Sequence, residues 1–145
     1  MTNADIRRKI LRINSYFLMA FGGVSIITGD IWSIWFAPGP WEEMLRGEPS
    51  VGIGGLEAHG LAFLFGVMLW RASRTAPARQ WHVYAAVAHA FLALCNILLW
   101  DIYTLVGAVA LGYISTIAHI VFATAETIAA TRLYDAEPRE RQNAA

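Results

Sequence analysis

The chain is poor in the residues that keep proteins in water. Asp, Glu, Lys and Arg make up only 15% of its 145 residues, and the formal net charge is zero. A single cysteine, Cys95, excludes an intrachain disulfide and leaves the redox compartment unreadable. It lies within an apolar run, where a lone thiol packs as a small hydrophobe. The arginines sit at the ends of apolar runs rather than along one face, which excludes the footprint of a nucleic-acid binder. No compact His-x-x-x-His spacing marks a metal centre. A cleaved signal peptide is not expected, because the first apolar run is too long and no small-x-small site follows it.

What the chain has in quantity is hydrophobic length. Hydrophobic residues make up 57% of it and mean hydropathy is +0.45, the composition of an integral membrane protein. Four runs, about 13–36, 52–71, 81–103 and 105–131, are each long enough for ~30 Å of hydrocarbon. The fold expected is an all-α membrane protein, a four-transmembrane-helix antiparallel bundle. After Pro38-Gly39-Pro40, the stretch WEEMLRG is expected to form a short interfacial helix between helices 1 and 2. Residues 1–12 form a lead whose Arg7, Arg8, Lys9 and Arg12 meet anionic headgroups; 13–133 form the transmembrane domain and 134–145 a charged tail. With an inside N-terminus, ten of the eleven Lys and Arg residues fall on inner segments and only Arg46 outside. The positive-inside rule then gives a multi-pass protein of a plasma (bacterial inner) membrane with both termini cytoplasmic. The six tryptophans fall mostly near the interfaces, as an aromatic belt does.

The polar residues inside these runs are patterned. His82, His89, Asn96 and Tyr103 are spaced by seven, close to two helical turns, so they share one stripe of the third span. His119 and Glu126 repeat the step in the fourth. In a tight hairpin with its apex at Thr104, His89 faces His119, His82 faces Glu126 as a structural pair, and Asn96 faces Gly112. By helical rise, Asp30, Glu57 and Asn96 lie roughly 7 Å outward of the span centres, with His59 slightly deeper. Glu57 and His59, two positions apart, point to opposite sides of one helix, so both cannot face the bundle centre. An approach of Asp30 to Glu57 would raise the proton affinity of one of them, as a general acid requires.

Three roles fit His89 and His119: core histidines bonded across the hairpin, haem b ligands, or ligands of a small metal ion together with His59 and a carboxylate. Helices of a tight hairpin pack about 8–10 Å apart, too close for a porphyrin between two axial imidazoles. Haem would therefore need a splayed hairpin or a diagonal pair such as His59 with His119.

In length, in the inside termini, in the outer excursion after the first span and in the acid early in the second span (Glu57 of GLEAHG), residues 13–131 resemble the DoxX-like and EXPERA class of small four-span membrane proteins. That resemblance implies acidic residues in a cavity open to the bilayer. Asp30 and Glu57 would be proton donors or ligand anchors, and aromatic residues such as Trp32 and Trp100 would line the cavity. The central histidine pair is a departure from that pattern.

The functional expectation is an internal polar cavity that binds a hydrophobic small molecule, sterol-, isoprenoid- or quinone-like. Glu57, His89 and His119 would carry any acid–base chemistry of the isomerase type, and Asp30, His59, Asn96, Trp32 and Trp100 would hold the ligand. One alternative is a haem b electron-transfer protein or redox-complex anchor. Another is a non-catalytic subunit of a larger membrane complex or a homo-oligomer. Membrane lipid is a partner in each case, and nucleic acid in none.

Overall fold

The computed structural model describes residues 2–36, 49–75 and 78–135. Helices α1 (Asn3–Val24), α2 (Trp32–Trp35), α3 (Pro49–Arg74), α4 (Arg79–Leu98), α5 (Trp100–Leu105), α6 (Val109–Ala130) and α7 (Arg132–Asp135) follow one another, with a π-helical segment, Ser25–Ile31, joining α1 to α2. No strand occurs among the described residues. Four of the helical stretches are long and apolar enough to cross a membrane: Asn3–Ile31, Gly52–Arg74, Arg79–Leu98 and Val109–Ala130. The chain is thus an all-α, four-span, multi-pass membrane protein. The expected interfacial helix at WEEMLRG and the tail beyond Asp135 lie outside the described residues.

The distribution of side chains is that of a lipid-facing protein. Asn14, Ser15, Ser73, His82, His89 and Glu126 are fully buried, while Leu61, Val87, Leu98 and Ile117 are exposed. In water this would be upside down; in hydrocarbon it is the arrangement that hides polar groups and costs the aliphatic ones nothing.

The lead is not separate from the first span. Thr2 and Asp5 form a reciprocal cap: the Asp5 N–H donates to Thr2 Oγ1 (3.2 Å) and the Thr2 N–H to Asp5 Oδ2 (3.0 Å). The helix therefore starts at Asn3 and runs unbroken into the membrane stretch. Of the four lead cations, Arg8, Lys9 and Arg12 are exposed as expected, but Arg7 is buried. It shares the inward stripe of Leu11 and Asn14, four and seven residues on, so helical phase decides its placement.

The chain forms two compact units, with boundaries inside α1 and α3. One contains Met1–Asn14 and everything from Leu69 onward. Its axis is the antiparallel pair α4–α6. α4 stops at Leu99, which leaves helical geometry (φ −104°, ψ 27°), and the short α5 follows before the turn at Gly107, whose φ is +67°. The hairpin is thus closed by residues 106–108, a little beyond the expected apex at Thr104.

The other unit, Ser15–Met68, pairs the second half of α1 and the π-helical segment with α3. Glycine sets the approach. A Cβ on Gly22 would stand 2.8 Å from the His59 carbonyl oxygen, and one on Gly66 would stand 3.0 Å from the Ser15 carbonyl oxygen. The two backbones are in contact at both points, as small residues permit in membrane helix pairs. The pairing runs antiparallel, since Ser15 lies opposite Gly66 and Asp30 opposite Gly55.

Candidate functional site

The unit built on α4–α6 encloses a hydrogen-bonded string of five side chains. His82 Nδ1 lies 2.5 Å from Glu126 Oε2. The other carboxylate oxygen, Oε1, accepts from Asn14 Nδ2 at 2.7 Å. Asn14 Oδ1 lies 2.7 Å from His89 Nε2, and His89 Nδ1 lies 2.8 Å from His119 Nδ1. Asn14, His82, His89 and Glu126 are fully buried. The Phe122 ring stacks on His89, centroids 5.1 Å apart and planes 23° apart, which closes one face of the imidazole. The seven-residue steps on α4 and α6 place the two histidine contacts about 10 Å apart along the hairpin.

The donors and acceptors of this string follow from its carboxylate. An ionised Glu126 only accepts, so His82 donates from Nδ1 and Asn14 from its amide nitrogen. The Asn14 carbonyl oxygen can then only accept, which puts a hydrogen on His89 Nε2. With both imidazoles neutral, His89 Nδ1 is left as an acceptor, and His119 donates to it from its own Nδ1. With Glu126 ionised and the imidazoles neutral, one buried carboxylate thus sets the tautomers of three histidines. His82 Nε2 is buried with no hydrogen-bond partner among the described residues.

One or two turns further along the same hairpin is a second polar group. Tyr103 Oη donates to Asn96 Oδ1 (2.9 Å), and Asn96 Nδ2 donates to Ser115 Oγ (3.0 Å). The expected place for Asn96 is opposite Gly112; instead the Tyr103 ring occupies that place, 2.8 Å from where a Gly112 Cβ would stand. α4 ends at Leu99, and the residues after it carry Tyr103 back over α6, while the Asn96 amide reaches Ser115, one turn from Gly112. Trp100 packs edge-on against Tyr113, centroids 4.7 Å apart.

In the other unit, Asp30 pairs with His59, not with Glu57. His59 Nδ1 lies 2.7 Å from Asp30 Oδ2, and Asp30 is buried. Glu57 is exposed, as its two-residue offset from His59 requires, and takes no part in that pair. Trp32 is exposed, with its ring against Phe36 at 5.6 Å.

Of the residues picked out by sequence, His82, His89, His119 and Glu126 are therefore brought together in one string. Asn96 stands beside a different partner, and Asp30 and His59 form a separate pair. Asn14, the link at the centre of the string, looks in the sequence like a mere polar interruption of the first span. Its signal is depth: it enters at the inner end of that span, and His82 and Glu126 lie at the corresponding ends of the third and fourth runs. The metal and haem roles for His89 would require its ring to leave two partners, since both nitrogens are engaged. No group of three or more His, Cys, Asp or Glu suited to a metal ion occurs among the described residues.

Compared with known proteins, the chain matches no family model, no curated protein and no solved structure.

Proposed function

We propose that this chain is a membrane-embedded acid–base protein that receives a hydrophobic small molecule, sterol-, isoprenoid- or quinone-like, and exchanges a proton with it at the His89–His119 pair. The observation that supports it is the buried string His82–Glu126–Asn14–His89–His119. Ionisable groups inside hydrocarbon are costly, on the order of 3 kcal/mol for a carboxylate on the lenient insertion scale. Three imidazoles and a carboxylate are more than a helix pair needs to hold together. Their place within a lipid-spanning hairpin favours a partner that arrives through the bilayer rather than from water. Glu126, acting through Asn14, is a positioning residue: it fixes which nitrogen of each imidazole carries the proton. The topology expected from charge, with both termini on the cytoplasmic side of a bacterial inner membrane, places His82 and Glu126 toward the cytoplasm.

The test is extraction of small molecules from the purified protein in native-lipid discs, analysed by mass spectrometry and absorption spectroscopy. A lipid-soluble compound enriched with the wild type and lost at least tenfold in His119→Ala, with thermal unfolding unchanged, is the expected result. Identical extracts from wild type and variant would reject it. A Soret band that disappears with His119→Ala would replace it with the haem alternative.

A further inference from the structure

We infer that the Asp30–His59 pair is a second and independent acid–base site, one that binds an amphiphile with an acidic head, a long-chain weak acid, through His59 Nε2. It belongs to the unit that lacks the histidine string and does not depend on the function proposed for that string.

The site is built by three features. The first is the π-helical segment Ser25–Ile31, where the N–H of Trp32 reaches back to the carbonyl of Ile27 instead of Thr28. A π turn holds one residue more than an α turn, and such segments recur at functional sites. Counting from the buried Gly22, a regular helix would centre its inward face near residue 29; the wider turn brings Gly29 and Asp30 inward together. The second is Gly55, whose missing side chain makes room for the carboxylate: a Cβ there would stand 3.1 Å from Asp30 Oδ1. The third is the exposure gradient across the pair, with the Asp30 side chain 7% exposed and the His59 side chain 39%.

Asp30 thus stands behind the ring and engages Nδ1, which leaves Nε2 as the nitrogen on the open side. Among the described residues His59 makes this one side-chain hydrogen bond. A carboxylate held on Nδ1 orients an imidazole and stabilises the imidazolium that forms when Nε2 takes a proton. His59 is seven residues into the apolar stretch that begins at Gly52, about 10 Å along the helix. A proton donor at that depth must itself partition into lipid. The flanking surface suits a hydrocarbon tail: Phe63, one turn from His59, is half-exposed and Ile27 is exposed. An acid fits better than an alcohol because the dyad can take up its whole proton. The carboxyl O–H bond breaks, its electron pair stays on the ligand oxygen, and the N–H bond forms at Nε2. The resulting imidazolium lies between the ligand carboxylate and Asp30, and the total charge is unchanged.

The experiment uses the full chain in lipid discs with ¹⁵N-labelled histidine, titrated with palmitic acid and, separately, with methyl palmitate. Palmitic acid is expected to move the His59 Nε2 resonance from the unprotonated toward the protonated position, and the methyl ester is expected to leave it in place. Asp30→Asn should weaken the response to palmitic acid by about tenfold, and the signal is assigned by its loss in His59→Gln. In the unmutated protein, no movement with the acid would overturn the proposal. So would equal movement with the ester, which reports partitioning alone. A response confined to His119 would overturn it as well, while leaving the function proposed for the histidine string intact.

Discussion

Asn14→Leu is the most informative single change in this molecule. The substitution keeps the branching of the side chain, with somewhat larger methyl groups, and removes both ends of the amide, Nδ2 on Glu126 and Oδ1 on His89. It leaves one buried carboxylate oxygen and one buried ring N–H without their partners. Hydrogen bonds to charged groups contribute about 1.5–3 kcal/mol and neutral ones about 0.5–1.5, whereas measured values between membrane helices average nearer 0.6. With Glu126 ionised and fully buried, a loss of about 2–4 kcal/mol is expected. Reversible unfolding in mixed micelles, followed by circular dichroism, measures it. Placing Asn14→Leu on a Glu126→Gln background removes the charge, so the cost of the leucine should fall to about 1 kcal/mol there. A cost below about 0.5 kcal/mol in the native background, or equal costs in both backgrounds, would refute the donor and acceptor pattern around Glu126.

Two glycine substitutions should differ in sign. Gly22→Ala drives a Cβ against the backbone of α3 and should destabilise by about 1–3 kcal/mol in the same unfolding assay. Gly54→Ala, with nothing within 4 Å, should stabilise by up to about 1 kcal/mol through helix propensity. Tyr103→Phe removes the bond to Asn96 and should cost about 0.5–1.5 kcal/mol without altering extraction of the small molecule. The inside termini are testable in a Cys95→Ala background: a membrane-impermeant maleimide should label Thr104→Cys in intact cells and Thr75→Cys only after lysis. The reverse pattern would invert the topology.

The hairpin is legible in the sequence because its chemistry is periodic. Steps of seven on two neighbouring apolar runs leave few ways to hide His82, His89, His119 and Glu126 other than against each other. Legibility fails where geometry departs from a regular helix without a sequence marker. Nothing in NILLWDIY, with neither glycine nor proline, signals the break at Leu99 after which the Tyr103 ring lies over Gly112. Likewise SIITGDI does not announce a π turn, so depth alone matches Asp30 to Glu57 when the wider turn aims it at His59. Arg7 and Asn14 escape for another reason. Both look like the entry to a span, although helical phase puts them on the inward stripe with Leu11.

The amide at the centre of the string constrains what the string can do. A chain of imidazoles and carboxylates hands protons along by making and breaking N–H and O–H bonds, but the Asn14 amide between Glu126 and His89 does not exchange its protons in that way. The string is therefore two acid–base pairs, His82–Glu126 and His89–His119, joined by a link that transmits orientation rather than charge. Protonating Glu126 on Oε1, the oxygen that faces Asn14, would reverse the requirement at its end, because that oxygen would then donate. The amide would then turn over, its nitrogen would face His89 Nε2, and the hydrogen on the His89–His119 contact would belong to His89 instead of His119. Asn14→Asp separates this account from a plain proton wire. A wire predicts faster exchange between the two pairs once an exchangeable carboxyl replaces the amide. An orienting link predicts that the histidine tautomers, read from their ¹⁵N shifts, lose their single assignment. A variant that keeps the wild-type tautomers would contradict an orienting role for Asn14.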